Sequence, residues 1–334
     1  MSAIRSSHLT GIFLAASALG CNPWSAAAAS AESYPNRIVK FVVPFVAGGP
    51  TDITARAIAD KVSASLKQPF VIENRPGAGG NIGTEVVARA APDGYTLGMV
   101  LNTILTVNPS LYGKLPFDPD KDIRPIAILT TFGNMLVVHP SVPVGSVAEF
   151  VAFAKAATAR NEPITYASGG NGTPGHLVME NFRVHAGFEA IHVPYRSNPP
   201  MVVDLVGGQV KIGFVASAGM IDHVQAGRLK ALGLARNRRS PLAPNVPTVA
   251  ESGYPGFNVE NYYVMVAPAA LSDPIAAVLE REVSAALRLS DVIERLRAMD
   301  TTPDVIIGAE ARARLKADRE AWAKVIAAAS MRLD

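Results

Sequence analysis

The chain has 334 residues, 49% hydrophobic and 18% charged, with a formal net charge of +3. That length allows one large or two ordinary domains with real cores, and that composition excludes a disordered chain. The charge is small and forms no long like-sign block or basic stripe interleaved with aromatics, so nucleic acid is not an expected partner.

The first segment reads as a leader. Arg5 and His8 precede the apolar run LTGIFLAASAL at 9–19, and the small-residue tract SAAAAS follows at 25–30. A short positive region, a short apolar core and small residues before a cut describe a secretory signal peptide, here residues 1–31. Ala29-Ser30-Ala31 supplies an A-x-A cleavage site, and Ala27-Ala28-Ala29 is nearly as good. The run is too short to span a bilayer, and no later stretch is long enough either, so a soluble exported protein is expected. Cys21 is the only cysteine. Ala18 stands three residues before it, where a lipoprotein signal wants a leucine-like residue, which argues against a lipid anchor. Cleavage after Ala31 leaves no cysteine for a disulfide, thiolate chemistry or a metal.

Strand-like and helix-like stretches then alternate. RIVKFVVPF at 37–45 predicts a buried strand, and 51–66 a helix with Ile53, Ala57, Val62 and Leu66 at helical spacing. Further strands are expected at 70–74, 96–101, 164–168 and 189–195, and in KIGFVAS and LKALGLA. Further helices are expected at 84–91, 146–159 and 176–187, and in MVVDLVGGQ and GMIDHVQAG. Such alternation predicts an α/β chain of βαβ units with mainly parallel sheets flanked by helices. Two long amphipathic helices, 273–289 and 308–331, close the chain, and no internal repeat is visible.

Two extended segments rich in Pro and Gly, 129–144 and 245–268, look like crossings between lobes. They divide the chain into one lobe of 34–135 plus 248–334 and an inserted lobe of 136–247. Clefts between lobes are where small ligands usually bind.

Two loops stand out. VVPFVAGGPTD at 42–52 runs from a strand through a Gly-Gly turn into a helix start. The first turn of a helix offers unpaired N–H groups and a partial positive charge, which suit an anion. Equally, the glycines could serve only a tight turn, with Thr51 as N-cap and Asp52 as a helix-start carboxylate. YASGGNGTPGH at 166–176 repeats the logic, with Ser168, Asn171 and Thr173 as short polar groups and Gly169, Gly170 and Gly172 giving a ligand close access to the backbone. Neither loop contains Lys or Arg. Facing each other across a cleft, they would hold a carboxylate by N–H groups, hydroxyls and water.

Other chemistries fit poorly. NRPGAGGNIGT at 74–84 misses the dinucleotide spacing, with Ile82 where the last glycine belongs, and no Gly-Lys-Ser/Thr follows for a P-loop. It reads as a structural turn. No G-x-S-x-G or H-E-x-x-H is present, and His139, His176, His185, His192 and His223 form no i, i+4 pair, so no metal or cofactor is expected. A hydrolase built on Ser168 would need a base that sequence alone does not locate.

Several stretches together resemble one family: VVPFVAGGPTDITAR, IENRPGAGGNIGTEVVARAAPDGYTL, NPSLYGKLPFDPDKDIRPIA, YASGGNGTPGH with HVPYRS, and DLVGGQV through PNVPTVAESGYPGF. They are similar to the Bug-type receptors, the periplasmic solute-binding proteins of tripartite tricarboxylate transporters, over essentially the whole chain from Tyr34. The resemblance implies a two-lobed Venus-flytrap fold of the type II periplasmic-binding-protein class. It implies a periplasmic, monomeric binding protein without catalytic activity, whose partners are a small carboxylate (a di- or tricarboxylate or a related compound) and the transporter's membrane subunits. A ligand-sensing receptor for a signalling system is the alternative. The implied ligand contacts are Phe45, Val46, Ala47, Gly48, Gly49 and Thr51 in the first loop and Ser168, Gly170, Asn171, Gly172 and Thr173 in the second, with Asn102, Thr103 and Tyr195 beside them. The chain departs from the family where it reads YRSNPP in place of the usual YKGGAP, and where GFVAS lacks an Asp that often follows the Phe. Without that acid an amino-acid ammonium has no partner. Arg196 adds a cation to the cleft or points to solvent.

Overall fold

Strand β1 (Val39–Val43) reads VKFVV, and every residue but Lys40 is buried, as β-branched and aromatic residues inside a sheet should be. It pairs in parallel with β2 (Phe70–Asn74) on one side and β3 (Thr96–Leu101) on the other, with Phe41 opposite Ile72 and Leu97. The computed structural model describes residues 34–328 and Met331. The expected leader at 1–31, with Cys21, lies outside the described residues.

Helix α1 (Pro50–Leu66) joins β1 to β2. A 3₁₀ turn, Ala78–Gly80, leads into α2 (Asn81–Ala88), which starts three residues before the expected 84. After β3 come two short helices, α3 (Asn102–Thr106) and α4 (Asn108–Leu111). The segment expected as the first crossing holds the end of β4 (Ile123–Phe132) and all of β5 (Asn134–Val138), separated by Gly133 alone. Helix α5 (Val147–Ala159) is capped by Ser146, whose Oγ accepts from the Glu149 N–H at 3.1 Å while Glu149 Oε2 accepts from the Gly145 N–H at 2.6 Å. Then follow β6 (Ile164–Ser168), α6 (Pro174–Ala186), β7 (Ala190–Pro194), α7 (Asn198–Val206), β8 (Ile212–Ala216), α8 (Ile221–Gln225) and β9 (Lys230–Leu234). The chain closes with β10 (Asn261–Pro268), α9 (Asp273–Ala286), α10 (Ser290–Arg297), β11 (Thr301–Ile307) and α11 (Gly308–Ala328).

Among the described residues the strands form a six-stranded sheet, β11-β4-β10-β3-β1-β2, and a five-stranded sheet, β7-β6-β8-β5-β9. The α/β class holds, but the sheets are mixed rather than mainly parallel. β10 runs antiparallel to β3 and β4, β11 to β4, and β5 to β8 and β9. For β10 and β5 the cause is the crossing. A strand arriving from the other sheet enters at the edge that faces it, which is the carboxyl end of β1 and β3, so it must run against them. The tail helix expected at 273–289 ends at Ala286, and α10 and β11 follow where no element was expected.

The first sheet is packed around Phe41, Leu97, Met99, Ile128 and Val264, with Leu279 of α9 against it. The second has Phe150, Phe182 and Phe214 on one face and Met201, Leu205 and Leu229 on the other. Val249, Phe257 and Val259 pack with the second sheet's core, so the chain returns to the first sheet only at Asn261.

Candidate functional site

The topology turns one edge of each sheet toward the other. There the carboxyl ends of β1, β3 and β4 meet those of β6, β7 and β8. Crevices at such strand ends are where α/β proteins bind ligands.

The first loop leaves β1 through Pro44 and Phe45 and enters α1 at Gly49, the extended N-cap with φ −80° and ψ 168°. Gly48 turns the corner with φ +79°, a conformation that favours glycine. Thr51 is therefore not the N-cap. Asp52, buried in the first turn, reaches back: its Oδ2 accepts from the Gly48 N–H at 3.0 Å and from Arg56 Nε at 2.9 Å. Asn74 Nδ2 donates to Asp52 Oδ1 and to the Phe45 carbonyl, both at 3.0 Å. Burial alone would raise the Asp52 carboxyl pKa, but the hydrogen bonds from Arg56, Gly48 and Asn74 outweigh it and hold the value low. This network fixes the outer side of the loop. No side chain caps the first turn of α1 on the cleft side.

The second loop is tied internally. Ser168 is fully buried. Its Oγ accepts from the Gly170 N–H at 3.1 Å, lies 3.0 Å from the Gly170 carbonyl, and is 2.6 Å from His192 Nε2. Thr173 Oγ1 donates to the Gly170 carbonyl at 2.6 Å. Gly170 has φ +131°, and a Cβ there would lie 3.0 Å from the Tyr195 carbonyl. Behind the loop the His176 and His192 rings stack at 4.1 Å, and the Gly172 N–H donates to His176 Nδ1 at 3.2 Å. Burial, with Arg183 nearby, lowers the His176 pKa to about 4, and burial beside His176 lowers that of His192 to about 3.

Between the loops lies an inner chamber of about 50 Å³. Three helices begin on it: α1 at Gly49 to Thr51, α6 at Thr173 to Gly175, and α7 at Ser197 to Pro199. Each has Pro in its first positions, and none has a side-chain cap. Its remaining wall is largely apolar, from Phe45, Val46, Leu101, Phe132, Phe214, Ala216 and Tyr263, with Asn134 as a polar exception. Among the described residues no Lys, Arg, His, Asp or Glu lines it. An outer cavity of about 700 Å³ opens beside Phe45, Val46 and Gly169 toward Gly79, Tyr112, Asn171, Tyr195 and exposed Arg196.

Of the residues expected from sequence, Phe45, Val46, Gly49, Thr51 and Thr173 border the inner chamber. Gly170, Asn171 and Tyr195 border the outer cavity, and Gly48 a flanking one beside Pro199 and Met220. Ala47 is exposed. Ser168 serves the loop itself, and Gly172 packs against Asn108 and Leu111. Asn102 and Thr103 are buried in α3, where Asn102 Oδ1 accepts from the Tyr262 N–H at 3.2 Å. Tyr195 donates its hydroxyl to Asp204 at 2.6 Å, and burial together with that carboxylate pushes its pKa up to about 12. The glycine turn at 77–80, expected to be structural, also faces the second loop: a Cβ on Gly79 would meet the Asn171 carbonyl at 2.6 Å. The start of α7 escaped sequence reading. Its signal was in view, because SNPP after a strand repeats the Pro-led helix start of GGPT and GTPG.

Two lobes, each offering uncapped helix N-termini to a shared cleft, define a solute-binding protein of the periplasmic type. A family model described as the tripartite tricarboxylate transporter family receptor matches residues 54–330. The protein BugT of Bordetella pertussis is 33% identical over 327 residues, which is 98% of each chain. Among solved structures, Rpa4515 of R. palustris with adipate is 32% identical with a TM-score of 0.84, covering 90% of this chain and 100% of that one. MatC of Rhodopseudomonas palustris with bound malate is also 32% identical, with a TM-score of 0.79, covering 88% and 100%. This chain belongs to the tripartite tricarboxylate transporter receptor family, the Bug-type periplasmic solute-binding proteins.

Proposed function

We propose that this chain captures a small carboxylate, such as a di- or tricarboxylate or a related carboxylated compound, in its interlobe cleft and delivers it to the membrane subunits of a tripartite tricarboxylate-type transporter. The observation that carries the reading is the convergence of three uncapped helix N-termini on a chamber with, among the described residues, no charged side chain in its wall. First-turn N–H groups and the helix dipole favour an anion there. Adipate and malate in the cited relatives agree with that charge. The first loop from Phe45 to Thr51 and the second from Gly169 to Thr173 are the contacts of this reading, with Ser168 and Gly172 shaping the second loop from behind. The protein works in the periplasm as a monomer, exported by the leader at 1–31. The two lobes, divided near Gly133 and just before Asn261 rather than at the expected 135 and 248, close on the ligand about Gly133 and the return segment, and contacts made only when closed favour that state.

The geometry gives little support to a hydrolase. Ser168 does lie against a histidine, but it is fully buried, and its oxygen is engaged by Gly170 and His192 rather than turned to the chamber. Calorimetry of the folded protein against mono-, di- and tricarboxylates tests the binding reading. Binding of at least one at micromolar concentration is expected; no binding of any up to millimolar concentration overturns it.

A further inference from the structure

Helix α4 of the first lobe lies against the second loop and the start of α6 in the other lobe. The approach is tight. A Cβ on Gly172 would lie 2.7 Å from Asn108 Oδ1 and 3.2 Å from Leu111 Cδ2. Asn108 is fully buried there, and its Nδ2 donates to Asn81 Oδ1, within its own lobe, at 2.7 Å. Its Oδ1, on the Gly172 side, has no hydrogen-bond partner among the described residues. Turning both amides over exchanges their roles and still leaves one polar group of Asn108 unmatched. Asn108 borders neither the inner chamber nor the outer and flanking cavities.

Beside this amide, Val107 and Leu111 of the first lobe pack with Leu177 of α6 and Ile326 of α11, and all four are buried. That apolar seam gains by closing whether or not a ligand is present. The amide opposes it. With the lobes parted, water reaches Oδ1; with the lobes together, Oδ1 is dry and unpaired. Leaving one polar group so costs about as much as burying one leucine side chain gains, so the amide is large enough to offset the seam. We propose that Asn108 is a positioning residue for capture: without touching the ligand, its unmatched amide holds the empty lobes apart, so that closure depends on the carboxylate. Resting on the carboxylate reading, this makes the measured affinity weaker than that of the closed cleft, by the fraction of empty protein that is closed.

The test is Asn108→Leu, which keeps the branching of the side chain and removes its polar atoms. Asn81 then loses a donor within the first lobe, a loss common to the open and closed forms. By X-ray scattering, ligand-free Asn108→Leu should have a smaller radius of gyration than ligand-free wild type. In calorimetry with butyrate, succinate, malate, adipate and citrate, the tightest binder of the wild type should bind Asn108→Leu at least about fivefold more tightly. A residue with only a structural role would weaken binding when changed. Equal radii of gyration, or an affinity at or below that of the wild type in the folded variant, overturns the inference and leaves the carboxylate reading standing. If Asn108→Leu does not fold, the wild type decides: its radius of gyration should fall on saturation with that binder, and an empty protein as compact as the loaded one overturns the inference. No binding of any of the five acids overturns the carboxylate reading, and the ligand-free radii of gyration still decide whether the amide holds the lobes apart.

Discussion

Replacing Arg236 by Met, Asp300 by Asn, and both together probes the junction between the two sheets. Arg236 follows β9 in the second sheet and is 1% exposed; Asp300 precedes β11 in the first and is 4% exposed. Arg236 Nη2 donates to both carboxylate oxygens, at 2.7 and 2.9 Å, and Nε donates to the Arg238 carbonyl at 3.2 Å. Ser240 Oγ donates to Asp300 Oδ1 at 2.7 Å. Removing one partner strands the other charge in a dry site, which costs about 3–5 kcal/mol. Arg236→Met leaves Asp300 with the Ser240 hydroxyl as its side-chain partner. Asp300→Asn keeps the shape and tolerates the local φ of +52°, but leaves the guanidinium without its counter-ion. The double variant removes both desolvated charges, so its loss should be clearly smaller than the sum of the singles, with a coupling of at least about 2 kcal/mol. Urea unfolding of the four proteins measures the cycle. Single losses below about 1 kcal/mol, or strict additivity, would refute the claim that this pair holds the junction.

Two further outcomes follow from the loops. His176 and His192 have folded pKa values near 4 and 3, against about 6.5 when unfolded. Between these values the unfolded chain holds protons that the folded chain refuses. Stability is therefore complete above about pH 6.5 and falls on acidification, by up to roughly 1.4 kcal/mol per pH unit per histidine. Urea unfolding at pH 7.5 and 5.0 should record the loss, and an unchanged pH slope in His176→Gln/His192→Gln would count against it. Gly48→Val should reduce carboxylate affinity at least tenfold with little change in the core. A Cβ at position 48 meets nothing within 4 Å, so the cost is the left-handed φ of +79°, which a β-branched residue resists. Wild-type affinity in that variant would mean the loop takes no part in binding.

Much of the fold was legible because β1, α1, β2, β3 and the α5 to β9 run carry clean periodicity. β4, β5 and β10 were not, although they are the strands that cross. Their residues sit in segments rich in Pro and Gly, which read as loop, and their strand state is imposed by partners far along the chain. Tyr263, for example, sits opposite Leu101 and Thr130. Their antiparallel direction is likewise a property of the crossing and leaves no local mark. In the site, the glycine loops announced themselves, whereas Phe132, Asn134, Phe214 and Tyr263 look like any strand residues until the sheets bring their ends together.

The short polar residues of the second loop attracted the ligand reading for a reason that the hydrogen bonds rearrange. Ser168 turns its hydroxyl into the loop, and Thr173, the N-cap of α6, donates its hydroxyl to the Gly170 carbonyl instead of accepting from the first turn. Gly49 has no side chain to cap α1, and Ser197 does not cap α7. A capping side chain adds about 1 kcal/mol to a helix. Three helices that meet at one chamber all forgo it, and with Pro at N1 or N2 each already lacks one amide. What remains at each start is a small set of N–H groups with no side chain competing for them. The hydroxyls therefore matter by staying away: they fix the loop's shape and leave the amides to an incoming anion.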